Sequence, residues 1–149
     1  MQLTLHTDYS LRVLVYLAQK PEGLATISEI ADFYQISRNH LVKVVHHLAS
    51  DGFIITTRGK HGGMRLAREP EAISVGEVVR KMEPNFDIVE CFNPENQLCT
   101  VTPVCALKNV LQRASEEFLA VLDAYTLADA IIQNAQLEAV FPLWALKSG

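Results

Sequence analysis

Residues 26–50 constrain the fold more than any other stretch, because they predict two short helices joined by a tight turn. Apolar residues recur at helical spacing over residues 27–34 and again over residues 38–50. Thr26 or Ser28 can cap the first helix and Ser37 the second. Two short helices joined by a turn of three or four residues are typical of a helix-turn-helix.

A basic hairpin follows this unit directly. Gly52 ends the second helix, and the β-branched residues 53–58 predict a strand. Residues 59–63 are a glycine-rich turn, and residues 64–68 form the returning strand. A helix-turn-helix followed by such a hairpin is a winged helix. The sequence therefore predicts a mainly α fold with a small β-hairpin wing.

The distribution of charge points to DNA. The chain has a net charge of −4, yet six of its 13 Lys and Arg residues and only one of its 17 Asp and Glu residues lie between Ile36 and Arg68. One basic segment in an acidic protein is a plausible electrostatic footprint for nucleic acid. We expect phosphate and base-edge contacts in a major groove from the second helix, and contacts in a minor groove from the slim tip of the wing. The candidates are Ser37, Arg38, Asn39, His40 and Lys43 on the helix, and Arg58, Gly59, Lys60, His61, Gly62 and Gly63 in the wing. The alternative is a plain helical hairpin with a solvated polar face and a β-hairpin that only covers the core.

Helices are predicted on both sides of this unit. Thr7 is a natural N-cap for a first helix that ends at Lys20-Pro21. Residues 74–77 form a capping box that starts a short helix ending at Glu83-Pro84.

The three glycines of the wing tip permit positive φ angles and leave a slim backbone.

Three cysteines, the only ones in the chain, lie within 15 positions as Cys91, Cys99 and Cys105. Their clustering favours metal or cluster binding, because such groups in a protein that is not secreted are more often ligands than disulfides. A disulfide with one cysteine left over, a closed zinc site with a fourth ligand, and three unrelated buried cysteines remain alternatives.

A long helix is predicted from Pro103, with Thr102 as its N-cap. Its apolar residues recur at alternating intervals of three and four over three heptads, which indicates a helix–helix seam. The small winged helix leaves little core for a helix of this length, so pairing with a second copy explains it better than packing on its own domain. A two-fold dimer also suits a palindromic operator. We divide the chain into a DNA-binding domain (1–83), a cysteine loop (84–102), and a dimerisation helix with a C-terminal tail (103–149). The third part also includes a short helix predicted over residues 126–134. We assign no function to residues 137–149.

Other classes of protein are disfavoured. No apolar stretch is long enough to span a membrane, and the N-terminus does not resemble a signal peptide, so we expect a cytoplasmic protein. No nucleophile and base are arranged as in an enzyme, so we expect no catalytic activity.

Several stretches resemble the iron–sulfur winged-helix regulators, and among these the nitric-oxide-sensing repressors most of all. The resemblance covers residues 1 to about 134 and rests on residues 6–14, 37–45, 58–67, 79–84, 89–91 and 123–129. The glycine-rich wing and the three cysteines together make it specific.

The resemblance implies a homodimer that binds promoter DNA and holds an iron–sulfur cluster, [2Fe–2S] or [4Fe–4S], through Cys91, Cys99 and Cys105. The fourth ligand would be Asp8 of the partner subunit, and nitric oxide would be the signal. A second branch of the family places a histidine three residues beyond its last cysteine, where this chain has Lys108, which favours the nitric-oxide-sensing branch. The first gap, seven residues instead of five, departs from the pattern. A same-fold regulator of iron–sulfur assembly or redox state, a zinc-stabilised winged helix without sensing, and a protein-interaction module remain alternatives.

Overall fold

A computed structural model describes residues 1–131, so the predicted tail and the end of the last predicted helix lie outside the described residues. Within residues 1–131 the chain forms six α-helices and one antiparallel pair of strands. In chain order these are α1 (Leu5–Gln19), α2 (Ile27–Tyr34), α3 (Arg38–Ser50), β1 (Ile54–Thr57), β2 (Gly63–Leu66), α4 (Val75–Met82), α5 (Ala106–Asp123) and α6 (Leu127–Ile131).

The helix-turn-helix and the wing form as predicted. Thr26 and Glu29 make a reciprocal capping box at the start of α2, and Gln35 ends that helix in the left-handed conformation, with φ 56°. In the wing, β1 pairs with β2 from Ile54↔Leu66 to Thr57↔Gly63. The prediction of a mainly α fold with a small β-hairpin wing is confirmed.

The core surrounds α1, which packs against α3, α4 and α6. Its largest fully buried side chains come from α1, α2, α3 and α4 and from the segments just before β1 and α4. They include Leu14, Tyr16, Leu41, Leu48, Phe53, Ile73, Val78 and Val79. This core orients α3, because the inner face of α3 packs against the same face of α1 that buries Leu14.

The first helix begins earlier than predicted. Thr4, not Thr7, is the N-cap of α1, and its side chain accepts a hydrogen bond from the Thr7 amide. Thr7 is fully buried inside the helix, and its hydroxyl donates to the Glu83 carboxylate at the end of α4. The Thr4 amide also donates to this carboxylate at 3.1 Å. A carboxylate at a helix N-terminus is stabilised by the helix dipole and by unpaired N–H groups, so a residue 76 positions away from Thr7 sets this boundary.

The long helix begins later than predicted. Residues Thr102–Val104 form a single 3₁₀ turn, and α5 starts at Ala106 with Cys105, not Thr102, as its N-cap. Cys105 is extended, with φ −76° and ψ 107°, and so interrupts the helical backbone after Pro103. The third cysteine therefore stands at the junction of the loop and α5 instead of inside the helix.

The wing glycines have two different roles. Gly59, with φ +110°, uses the positive φ angle that the tip glycines permit, whereas Gly62 and Gly63 do not. Those two allow close approach instead. A Cβ on Gly62 would lie 2.3 Å from the Thr57 carbonyl oxygen, and one on Gly63 would lie 2.8 Å from that of Ala25. Gly63 is crowded because Ala25 forms a β-bridge with Met64 at the base of the wing.

We expect Gly63→Ala to lower the free energy of unfolding by about 1–3 kcal/mol, the usual cost of overpacking. The new Cβ would also meet the Leu24 Cβ at 2.8 Å, so Leu24→Gly, which removes that atom, provides the comparison. Since the Ala25 backbone remains in place, the double variant should not recover the lost stability. Urea denaturation of the three variants measures this, and an unchanged midpoint for Gly63→Ala would contradict the close approach.

Candidate metal centre and nucleic-acid interface

The candidate DNA-reading surface is the exposed face of α3. Leu41, Val44, Val45 and Leu48 are buried beneath it. Arg38, Asn39 and Lys43 project into solvent, as a helix that enters a groove requires. Ser37 occupies the N-cap position, and its side chain makes no capping hydrogen bond.

Two histidines of α3 turn toward α1 instead. The His40 ring packs edge-on against Tyr9, with centroids 4.8 Å apart. His47 Nδ1 lies 2.9 Å from His6 Nε2, and His47 Nε2 lies 3.6 Å from the Asp51 carboxylate. Burial, followed by the nearby His47 and His40, lowers the pKa of His6. These contacts fix the angle between α1 and α3, so His40 is half-buried at the edge of the surface on which the sequence placed it.

The wing projects its polar residues as the sequence predicted. Arg58, Lys60 and His61 are exposed, with Gly59 between the first two. At the base of the wing, Arg68 pairs with Glu77 at 2.9 Å and stacks on Phe53, with its guanidinium 5.2 Å from the ring centroid. The tip therefore carries free cations, while the base is anchored to the core.

Sequence reasoning missed one residue of the α3 surface. Val42 is 50% exposed and lies on the same face as Asn39 and Lys43. Its spacing of three residues from Asn39 was the available signal.

The three cysteines lie on the long connection between α4 and α5, and all are free thiols. Cys91 is half-buried in a short 3₁₀ turn, Glu90–Phe92, whereas Cys99 is exposed. Both line an open groove of about 770 Å³, together with Asn85, Asp87, Ile88, Val89, Glu90, Asn93 and Asn96. The loop thus brings two of the three predicted ligands to one groove.

Cys105 does not line that groove. It is half-buried at the N-cap of α5, where its Sγ accepts a hydrogen bond from the Lys108 amide at 3.3 Å. Lys108 itself stands where the second branch of the family has a histidine.

Asp8 lies in the first turn of α1, near the start of the chain and far in sequence from the cysteines. Its carboxylate forms a two-point ion pair with Arg12 one turn later, at 2.8 Å and 3.1 Å. The Arg12 guanidinium also lies 5.6 Å from the Tyr9 ring centroid. Among residues 1–131 of the single chain, no three His, Cys, Asp or Glu side chains are grouped closely enough to hold a metal ion.

A model of the Rrf2 family, described as iron-dependent transcriptional regulators, matches residues 3–133. The chain belongs to the Rrf2 family. Among its relatives, the HTH-type transcriptional regulator NsrR of Bacillus subtilis (strain 168) is 53% identical over 132 residues, which cover 88% of this chain and 90% of that protein. The NsrR regulator of Shouchella clausii (strain KSM-K16) is 49% identical over 141 residues, covering 94% of this chain and 95% of that protein.

Solved structures of Rrf2 relatives share the fold. IscR of T. potens superposes with a TM-score of 0.73 at 28% identity, covering 91% of each chain. CymR (YrzC), the global cysteine regulator of B. subtilis, does so with a TM-score of 0.72 at 28% identity, covering 88% of this chain and 96% of that one. This Rrf2 protein is therefore a DNA-binding transcriptional regulator. The expectation that it is not an enzyme is confirmed by these relatives. No helix in the described part of the chain is long and apolar enough to cross a membrane.

Proposed function

We propose that this Rrf2 protein is a dimeric repressor that senses nitric oxide through a bound iron–sulfur cluster and loses DNA affinity when the cluster is nitrosylated. The observation that carries the proposal is a loop with three free thiols placed between the DNA-binding unit and a largely exposed helix. The two NsrR relatives, which are about half identical over nearly the whole chain, support it. Since its target would be promoter DNA, we propose that it acts in the cytoplasm.

The residues present fit such a cluster in their chemistry. Three thiolates suit iron–sulfur ligation, and a carboxylate can complete the set. Cys91, Cys99 and Cys105 would hold the cluster from one subunit, and Asp8 of the partner subunit would supply the fourth ligand. Three of the four proposed ligands belong to one chain, and within residues 1–131 these cysteines are not yet grouped closely enough to hold a metal ion, so binding requires the loop to close. Closure also requires Cys99, which is exposed, to move with its loop.

Iron in a bound cluster supplies the reactivity toward nitric oxide. The protein contributes the mechanical connection between the cluster-binding loop and the recognition helices. Cys105 ties the loop to the start of α5, and α1 carries both Asp8 and the contacts to His40 and His47 of α3. While the loop holds Asp8 of the partner subunit, the two recognition helices are kept at one spacing. When it releases that aspartate, the spacing relaxes and DNA affinity falls.

The dimer surface we propose is the outer face of α5. None of the 18 residues of α5 is buried in the single chain. Leu107, Val110, Val121 and, just beyond the helix, Tyr125 are 56–64% exposed. The basic residues of α5, Lys108 and Arg113, lie in its first half, and Glu116 and Glu117 lie in its second half. Antiparallel pairing of two copies sets these opposite charges against each other, whereas parallel pairing sets like against like.

We expect the wing to contribute phosphate contacts that salt weakens. The double variant Arg58→Ala/Lys60→Ala removes two exposed cations from each subunit, or four from a dimer. If all four contact phosphates, the slope of log affinity against log salt should become shallower by roughly 3–4. Fluorescence anisotropy with a promoter duplex at several salt concentrations measures this slope. Lys81→Ala, an exposed cation on α4, is the control, and an equal effect of both changes would contradict a specific role for the wing.

The sensing function is tested by anaerobic purification, iron and sulfide assays, a visible spectrum, and titration with nitric oxide during DNA binding. A brown protein with acid-labile sulfide, bleached as DNA binding falls, is the expected result. A colourless zinc protein that binds DNA and ignores nitric oxide would contradict the proposal.

A further inference from the structure

Val42 is unusual among the apolar residues of α3. The four large apolar residues Leu41, Val44, Val45 and Leu48 are buried, whereas Val42 leaves half of its surface in solvent. A lone apolar residue on a protein surface ordinarily needs no explanation. The position of Val42, however, is specific: it is in the middle of the face that carries the DNA-binding candidates.

The neighbours of Val42 define that face. Asn39 precedes it by three residues, and His46 follows it by four, so all three lie along one side of the helix. Lys43 and Arg38 flank this line and are also exposed. Val42 is thus an exposed apolar side chain with an amide and cations beside it on the outer face of α3.

The helix itself does not require a valine at this position. A β-branched side chain loses rotamer freedom in a helix, and at an exposed site alanine favours the helix more. Val42 therefore contributes neither to the core nor to the intrinsic stability of α3.

DNA presents one apolar group in the major groove, the 5-methyl group of thymine. We propose that Val42 reads thymine by packing against this methyl group, and so determines part of the operator sequence. The inference rests on DNA binding by α3. Asn39, one turn earlier on the same line, is placed to pair with an adenine edge in the same half-site.

The test separates the methyl group from every other feature of the base pair. A random-sequence duplex library is first selected with the wild-type protein, and the thymines of the selected sequence are then replaced one at a time by deoxyuridine. Deoxyuridine pairs as thymine does and lacks only the methyl group. Burying one methyl group is worth about fourfold in affinity. Replacing the contacted thymine in both half-sites should therefore weaken wild-type binding by roughly 15-fold.

The variants identify which residue makes the contact. For Val42→Ala, the selected thymine duplex and its deoxyuridine form should bind almost equally. Val42→Thr keeps one methyl group and should retain part of the discrimination. Ile55→Ala changes an exposed β-branched residue of β1, 42% against 50%, which is outside the DNA-binding candidates, and should discriminate as the wild type does.

Two results would overturn the inference. Equal binding of thymine and deoxyuridine duplexes by the wild type, at every position, would show that no methyl group is read. A Val42→Ala protein that weakens on both duplexes by the same factor and keeps the wild-type discrimination would assign the reading to another residue. If the wild type selected no duplex, DNA reading by α3 would itself be contradicted. The proposed thymine contact of Val42 would then fail with it.

Discussion

Asp8→Ala should leave the fold intact and remove the proposed iron–sulfur cluster. The Asp8–Arg12 ion pair is 39–43% exposed, so its loss should cost less than about 1 kcal/mol of stability. A cluster with one of four ligands missing, in contrast, should bind poorly, and iron content and visible absorbance should fall severalfold. Asp32→Ala, an exposed aspartate on α2, should keep its iron. An Asp8→Ala protein with full iron content would contradict ligation by Asp8.

A mixed dimer determines which subunit donates the aspartate. Subunits with Asp8→Ala are combined with subunits in which Cys91, Cys99 and Cys105 are all alanine, and the heterodimer is isolated through two different tags. If the ligand comes from the partner subunit, the first subunit's cysteines meet the intact Asp8 of the partner subunit, and one complete site forms. If the ligand comes from the same chain, neither site is complete.

We therefore expect the heterodimer to carry about half the iron of the wild type, and each parent variant to carry far less. Thermal unfolding of the metal-free proteins is the control, since it reports on the fold without the cluster. A heterodimer as poor in iron as its parents would contradict ligation across the dimer.

The winged helix was predictable because its signals are local. Helical periodicity in α2 and α3, the Thr26–Glu29 capping box and the β-branched strand before the glycine turn are each encoded within a few neighbouring residues. The buried residues of α3 also follow its periodicity directly.

The boundaries that sequence reasoning missed depend on distant residues. Thr4 caps α1 with Glu83 from the end of α4, a contact that no local pattern encodes. The Gly63 constraint arises from Ala25, far away in the chain. For the same reason the inward turn of His40 and His47 required the position of α1, because a helical wheel shows only which side they occupy.

The geometry of the candidate metal centre was not predictable from the sequence, and its set of ligands stays a prediction. Cysteine clustering marked the loop, and the i, i+4 spacing of Asp8 and Arg12 was readable from the sequence. Within residues 1–131 the three cysteines, which would all come from one chain, are not grouped closely enough to hold a metal ion, and the fourth proposed ligand would come from a second chain. Cys99 is exposed in the loop, whereas Cys105 is half-buried at the N-cap of α5.

Val110→Glu should convert the protein to a monomer and sharply reduce its DNA affinity. Val110 is 63% exposed on α5, so in an isolated chain a glutamate there would be solvated and would favour the helix at least as well as valine. In a dimer paired through this face, two buried carboxylates would replace two apolar contacts. At about 2 kcal/mol or more for each subunit, dimerisation should weaken roughly a thousandfold. A monomer can bind only one half-site, so the additional DNA affinity that a dimer gains by binding two half-sites at once is lost.

The control is Ala72→Glu, which introduces the same charge at an exposed residue in the turn before α4, outside α5 and the cysteine loop. It should remain a dimer and bind DNA. Sedimentation velocity at several protein concentrations gives the association state, and circular dichroism confirms that both variants keep their helices. Because α5 has no buried residue in the single chain, unfolding cannot explain a monomeric Val110→Glu protein that keeps its spectrum. If Val110→Glu instead remained a dimer with wild-type DNA affinity, the two subunits would have to meet through another surface, and the charge pattern of α5 would need a different explanation.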